Sequence, residues 1–225
     1  MYRFIFLAIV LVLASCKKEI PTTMLPSAPK APETAHKETV FHQDTIYKLL
    51  ETAKAIDTLE FDGADFEKEI PEFGYIKTGR FLSDDKDAVL ISLDDDNYKV
   101  ELYTLQNSNW VKKDEISGLE AGVIQFYTRY ADFDFDGHKD IYIQYACSNG
   151  LAFSYGHLLT INPKTKKLTY HKEAFDLASI EPNPKTKTVI SLDIRDCLME
   201  HDTCQIKNVW KNGRLKTLPK DCGCE

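Results

Sequence analysis

The chain lacks the short patterns by which most catalytic sites can be read from sequence. It has no Gly-x-Ser-x-Gly turn, no His-Glu-x-x-His and no phosphate-cradling glycine loop, and its six histidines are scattered. No nucleophile and base are therefore paired in sequence. Cys-x-x-Cys is also missing, which argues against a redox or thiolate-metal pair. Basic residues are outnumbered, 28 Lys and Arg against 35 Asp and Glu, so nucleic acid is an unfavourable partner, whereas cations or a basic protein suit the charge. Glu67, Glu69 and Glu72 cluster beside Pro71, but neighbouring carboxylates on one segment read as a solvated face rather than as a glycosidase pair. These absences point away from an enzyme.

The one long apolar run lies at the start, where Arg3 precedes Phe4 to Leu13 and then Ala14-Ser15-Cys16. That order of basic, apolar and small residues predicts a secretory signal over 1–15, and the run is too short for a membrane span. Leu-Ala-Ser-Cys resembles the bacterial lipobox, which implies that Cys16 is lipidated and becomes the first mature residue. Lys17 and Lys18 follow it, which by resemblance to other lipoproteins favours the outer membrane, facing the periplasm or the outside. The lipid would be the only membrane contact. From 16 to 40 the chain is polar and carries four prolines, a composition that builds no core and predicts a stiffened tether. Residues 41–225 form the predicted single folded domain.

What the chain does have is a ladder of aspartates. Asp132, Asp134, Asp136 and Asp140 occupy positions 1, 3, 5 and 9 of a loop with Gly137 at position 6. Alternate carboxylates in a tightening turn converge on one point, position 7 offers the backbone carbonyl of His138, and the glycine permits the bend. This spacing predicts a Ca2+ site. An EF-hand would place a glutamate at position 12, where Ile143 stands, and helices on both sides. The flanks Val123 to Tyr130 and Ile141 to Tyr145 are β-branched and aromatic instead, so the loop reads as a hairpin turn.

Asp-x-Asp-x-Asp-Gly-x-x-Asp between strands resembles the calcium hairpin of integrin-type FG-GAP and VCBS-like propeller repeats. A weaker copy precedes it: Asp85-Lys-Asp87-Ala-Val-Leu-Ile parallels Asp140-Ile-Tyr-Ile, with Asp87 and Asp140 separated by 53 residues. Lacking the glycine, the first copy is expected to hold a turn rather than an ion. Further on, Asn-Pro-Lys-Thr-Lys occurs at Asn162 to Lys166 and again at Asn183 to Lys187, and Asn212-Gly213 is a tight-turn pair, all antiparallel connections. An amphipathic helix is predicted over Asp44 to Ile56, capped by Asp44. The expected fold is all-β, an incomplete β-propeller-like array of antiparallel blades with one N-terminal helix.

The ending Trp-Lys-Asn-Gly-Arg-Leu, with the calcium hairpin, resembles small bacterial calcium-binding lipoproteins with an incomplete propeller, some of which inhibit lysozyme-type hydrolases. The resemblance implies a non-enzymatic protein-binding or immunity role, with a peptidoglycan hydrolase as partner and the ion bracing the fold. The alternative is a surface or periplasmic module that binds glycan or protein; a calcium-dependent hydrolase would need a carboxylate pair facing a cleft near Asp140.

Within this reading the candidate partner loop carries Phe153, Tyr155 and His157, aromatic anchors if they project and ordinary core residues if they pack inward. In an oxidising compartment the remaining cysteines are expected to pair. Cys197 and Cys204 bracket a segment short enough for a hairpin staple, with Cys222 or Cys224 reaching Cys147; a thiolate site of Cys222, Cys224 and His201 is the alternative.

Overall fold

The computed structural model describes residues 40–62, 74–122, 126–147, 153–197 and 200–219. The expected leader over 1–15, Cys16, the expected tether as far as residue 39, Glu67, Glu69, Glu72, Cys222 and Cys224 lie outside them. Among the described residues thirteen strands form three antiparallel meanders, each in strict chain order. The first comprises β1 (Leu59–Asp62), β2 (Gly74–Gly79), β3 (Asp87–Asp94), β4 (Asn97–Gln106) and β5 (Asn109–Glu120). The second comprises β6 (Thr128–Ala131), β7 (Asp140–Cys147), β8 (Ser154–Asn162) and β9 (Lys167–Tyr170), and the third β10 (Ala178–Asn183), β11 (Thr188–Cys197), β12 (Glu200–Lys211) and β13 (Arg214–Thr217). None of the three sheets closes on itself. The β-rich character and single helix expected from sequence are what the structure shows.

The central strands read as continuous apolar runs because both of their faces are covered. Side chains alternate across a strand, and on β3 Val89 and Ile91 join a core with Ile141, Ile143, Leu159 and Ile161 of the second sheet. The intervening Ala88 and Leu90 pack instead with Ile46 and Leu50 of helix α1 (Val40–Thr52). On the second sheet Tyr142 and Leu158 face the other way and meet Phe133, Ile180, Val189 and Leu215. A charge introduced at any of these positions would be buried against apolar neighbours.

The helix begins earlier than its sequence suggests. It starts at Val40, so Asp44 lies inside it rather than capping it; no proline or glycine interrupts the intervening residues. It ends in a 3-10 turn at Ala53–Ala55, after which Ile56 is extended and 41 % exposed, not on the packed face. Lys86 Nζ accounts for the stop by donating to the carbonyls of Ala53 (2.7 Å) and Ile56, where the helix dipole favours a cation.

The turns follow their residue chemistry. In both Asn-Pro-Lys-Thr-Lys turns the asparagine Oδ1 accepts from the backbone N–H groups two and three residues on, and the last lysine is left-handed, φ 55° at Lys166 and 51° at Lys187. Asn212 and Gly213 are both left-handed, the requirement of a two-residue turn between twisted strands.

The cysteines depart from expectation. On the β11–β12 hairpin Cys197 lies opposite Glu200 and Cys204 opposite Asp193, so about 13 Å of strand separates them, beyond the roughly 7 Å that a disulfide spans between Cα atoms. The Cys197 to Cys204 staple is therefore corrected, although Cys204 is disulfide-bonded. Cys147 is a free, half-buried thiol, which removes its expected pairing.

Candidate metal centre

The loop between β6 and β7 folds around its aspartates. Asp134 Oδ1 accepts the N–H of Asp136 (3.1 Å), Asp132 Oδ2 that of Gly137 (3.1 Å), and Asp136 Oδ1 that of His138 (2.8 Å). Each bond bends the chain back on a preceding carboxylate, and the bend is completed by left-handed Phe135 (φ 64°) and Gly137 (φ 93°). For Phe135 that conformation is sterically uncommon, and the surrounding loop holds it. Asp132, Asp134 and Asp136 each present a ligand atom within 4.8 Å of the others.

Two features test whether this group fits a cation. Asp132 Oδ1 is buried without a hydrogen-bond partner, a costly state for a carboxylate oxygen unless a positive ion meets it. Burial, followed by the charges of Asp136 and Asp132, raises the pKa of Asp134, the expected result of crowding carboxylates with no counter-charge. An all-oxygen set of flexible carboxylates suits a hard cation such as Ca2+. The residues present fit the ion.

Asp140 has a different place from the one its spacing suggests. It is fully buried and stands outside the three-carboxylate group. Its Oδ2 accepts the N–H groups of Phe133 (2.8 Å) and Asp134 (3.2 Å), and its Oδ1 that of Ile161 on β8 (3.1 Å). Burial and the charge of Asp134 push its pKa up to about 8. Asp140 thus frames the loop and joins it to the next strand. Trp210 of the third sheet also binds the loop, donating from Nε1 to the Phe133 carbonyl at 2.7 Å; the indole was not legible as a partner because 77 residues separate them.

The weaker copy occupies the equivalent place in the first sheet. Asp87, like Asp140, is the first residue of its strand and fully buried. Its Oδ1 accepts from Thr104 Oγ1 on the following strand (2.6 Å), as Asp140 accepts from the strand after its own. Its Oδ2 accepts from Ser83 Oγ (2.7 Å) and from the buried ammonium of Lys166 (2.9 Å). That ammonium also lies 3.4 Å from Asp85. The chain supplies its own cation here.

Of the candidate partner loop, Phe153 is 4 % and His157 2 % exposed, so neither projects toward a partner; Tyr155 is half-buried. His157 belongs to the interior because β8 is covered on two faces, and Phe153 is buried immediately before that strand. His157 Nε2 faces the Glu120 carbonyl (2.8 Å), which can only accept, so Nε2 carries the proton and Nδ1 accepts from the Tyr170 hydroxyl (3.2 Å). Buried His171 is bonded to Thr160 Oγ1.

Burial lowers the pKa of both histidines from 6.5. The unfolded chain then takes up protons that the folded chain refuses, so stability is fully present above about pH 6.5 and falls as pH drops below it, levelling beneath the folded pKa values. Asp140, with its raised pKa, acts in the opposite sense over the same range, so the histidine contribution is read as a difference: on going from pH 7.5 to 5 the urea midpoint of wild type should change less favourably than that of a His157→Gln/His171→Gln variant.

No family model matches the chain, and no curated protein or solved structure does.

Proposed function

We propose that the chain is a calcium-binding, non-enzymatic lipoprotein of the cell envelope whose ion braces a protein-binding domain. The observation that carries the reading is the convergence of Asp132, Asp134 and Asp136 around a buried carboxylate oxygen with no partner. The ion would neutralise the loop and hold the β6–β7 hairpin against Trp210. The three meanders are, on this reading, blades of an incomplete propeller. Support comes from the matching positions of Asp87 and Asp140 and from sheets that stack face to face.

The family resemblance makes a lysozyme-type hydrolase the partner, and anchoring through Cys16 places the domain at the outer membrane. The test is to add the full chain, in millimolar calcium and in chelator, to a panel of lysozyme-type hydrolases and follow lysis of cell walls. The expected result is loss of lysis in calcium and its return in chelator. Undiminished lysis across the panel would sink the inhibitor reading while leaving the ion site to its own test.

A further inference from the structure

The last strands of the third sheet are basic in an acidic chain. From Thr203 to Pro219 there are four cations, Lys207, Lys211, Arg214 and Lys216, and no Asp or Glu. Register puts all four on one face. Lys211 lies opposite Arg214 and Val209 opposite Lys216; residues opposite each other share a side, and Lys207, Val209 and Lys211 alternate along β12 with Asn208 and Trp210. The reverse side holds Leu215, opposite Trp210, in the core with Val189. All four cations are exposed. Among the described residues none of them makes an ion pair, whereas Lys77, Lys99, Lys112, Lys166 and Lys167 of the first two sheets each meet a carboxylate. Two acids near this sheet are engaged elsewhere: Glu173 accepts the Leu215 N–H at 2.9 Å, and Glu181 is paired with Arg129. Asp193, Asp196, Glu200 and Asp202 lie toward the other end of the β11–β12 hairpin.

Lysines commonly guard a sheet edge, and β13 is such an edge, but Lys207 and Lys211 stand on the strand inside it. Lys211 and Arg214 are like charges directly opposite one another, a pairing that destabilises a sheet. Among the described residues no carboxylate offsets it. We propose that this face docks on an anionic phospholipid surface. An open sheet face suits a planar array of headgroups, and these positions include no aromatic ring on which a base could stack. At physiological ionic strength a charge acts over about 8 Å, so the acids of the other sheets do not cancel a face held against a bilayer. Each Lys or Arg near an anionic surface strengthens binding about fivefold. Docking here rests on the anchor at Cys16 proposed above: a lipid-tethered domain meets the surface at high effective concentration, where four cations suffice.

The full chain, made with its own leader and extracted in detergent, is reconstituted with vesicles of zwitterionic phospholipid, alone or mixed with anionic phospholipid, each carrying a dansyl-headgroup lipid. Energy transfer from tryptophan to dansyl reads how closely the domain lies, Trp210 being on the reverse side of the same two strands. Transfer should be higher on the anionic vesicles, and the excess should vanish in about 1 M salt, where a charge acts over about 3 Å. Lys207→Gln/Lys211→Gln/Arg214→Gln/Lys216→Gln should lose the excess. Lys48→Gln/Arg80→Gln/Lys164→Gln/Lys172→Gln, an equal change of charge at exposed positions elsewhere, should keep it, with melting curves reporting that both variants remain folded. Equal transfer on the two kinds of vesicle, or equal loss in the two variants, would overturn the proposal. So would capture of a soluble anionic polysaccharide through the same four residues without that excess, which makes the occupant a polymer. Flotation with zwitterionic vesicles reads the anchor separately. A wild-type chain that floats only with anionic vesicles, and a face variant that floats with neither, keep this face and lose the anchor.

Discussion

Calcium at 100 times its dissociation constant is expected to raise the melting temperature of the chain by about 5 to 11 °C over chelator, and Asp132→Asn to remove most of that rise. A ligand held only by the folded state at 100 times its dissociation constant stabilises by about 2.7 kcal/mol, and in a domain of this size each kcal/mol moves the melting point by about 2 to 4 °C. Asp132 is the chosen position because its Oδ2 already serves Gly137 while its Oδ1 has no partner; asparagine keeps an oxygen for the turn and removes the charge. In chelator the sign should reverse. The variant should be at least as stable as wild type there, since one of three crowded carboxylates is gone. Magnesium, which demands near-octahedral geometry and gives up water reluctantly, should produce a smaller rise. Equal melting curves with and without calcium would make the loop a solvated turn.

Much of this arrangement could be read before the structure. Hairpins declared themselves through Asn-Gly and the two Asn-Pro-Lys-Thr-Lys turns, because turn chemistry is local. The aspartate ladder brings Asp132, Asp134 and Asp136 to one place for the same reason. Asp140 was assigned to the ion because its spacing matches a ligand position, but spacing does not reveal that Phe133, Asp134 and Ile161 present N–H groups to its carboxylate. His157 was ambiguous because a strand covered on both faces has no polar side to mark its orientation, and Phe153 because it precedes that strand. The cysteine staple failed on register, since a short segment between two cysteines says nothing about which residues oppose each other.

Lys166→Ala should be among the most damaging substitutions in the chain, costing about 3 to 5 kcal/mol. It strands Asp87, whose side chain is fully buried and paired to the ammonium at 2.9 Å, in a place where an uncompensated charge has no water to turn to. Lys187 is the internal control. It ends the same pentapeptide with nearly the same left-handed φ but is exposed, so Lys187→Ala should change stability by no more than about 0.5 kcal/mol. Comparing the two separates the buried pair from the turn itself. A third variant, Asp87→Asn/Lys166→Met, removes both charges and should recover most of the loss, because a buried pair replaced together costs far less than one broken. All three should shift equally in calcium and chelator, since the lysine does for the first sheet what the ion is proposed to do for the second. If the double variant is as unstable as Lys166→Ala, the lysine contributes packing rather than charge, and the parallel between Asp87 and Asp140 reduces to backbone geometry.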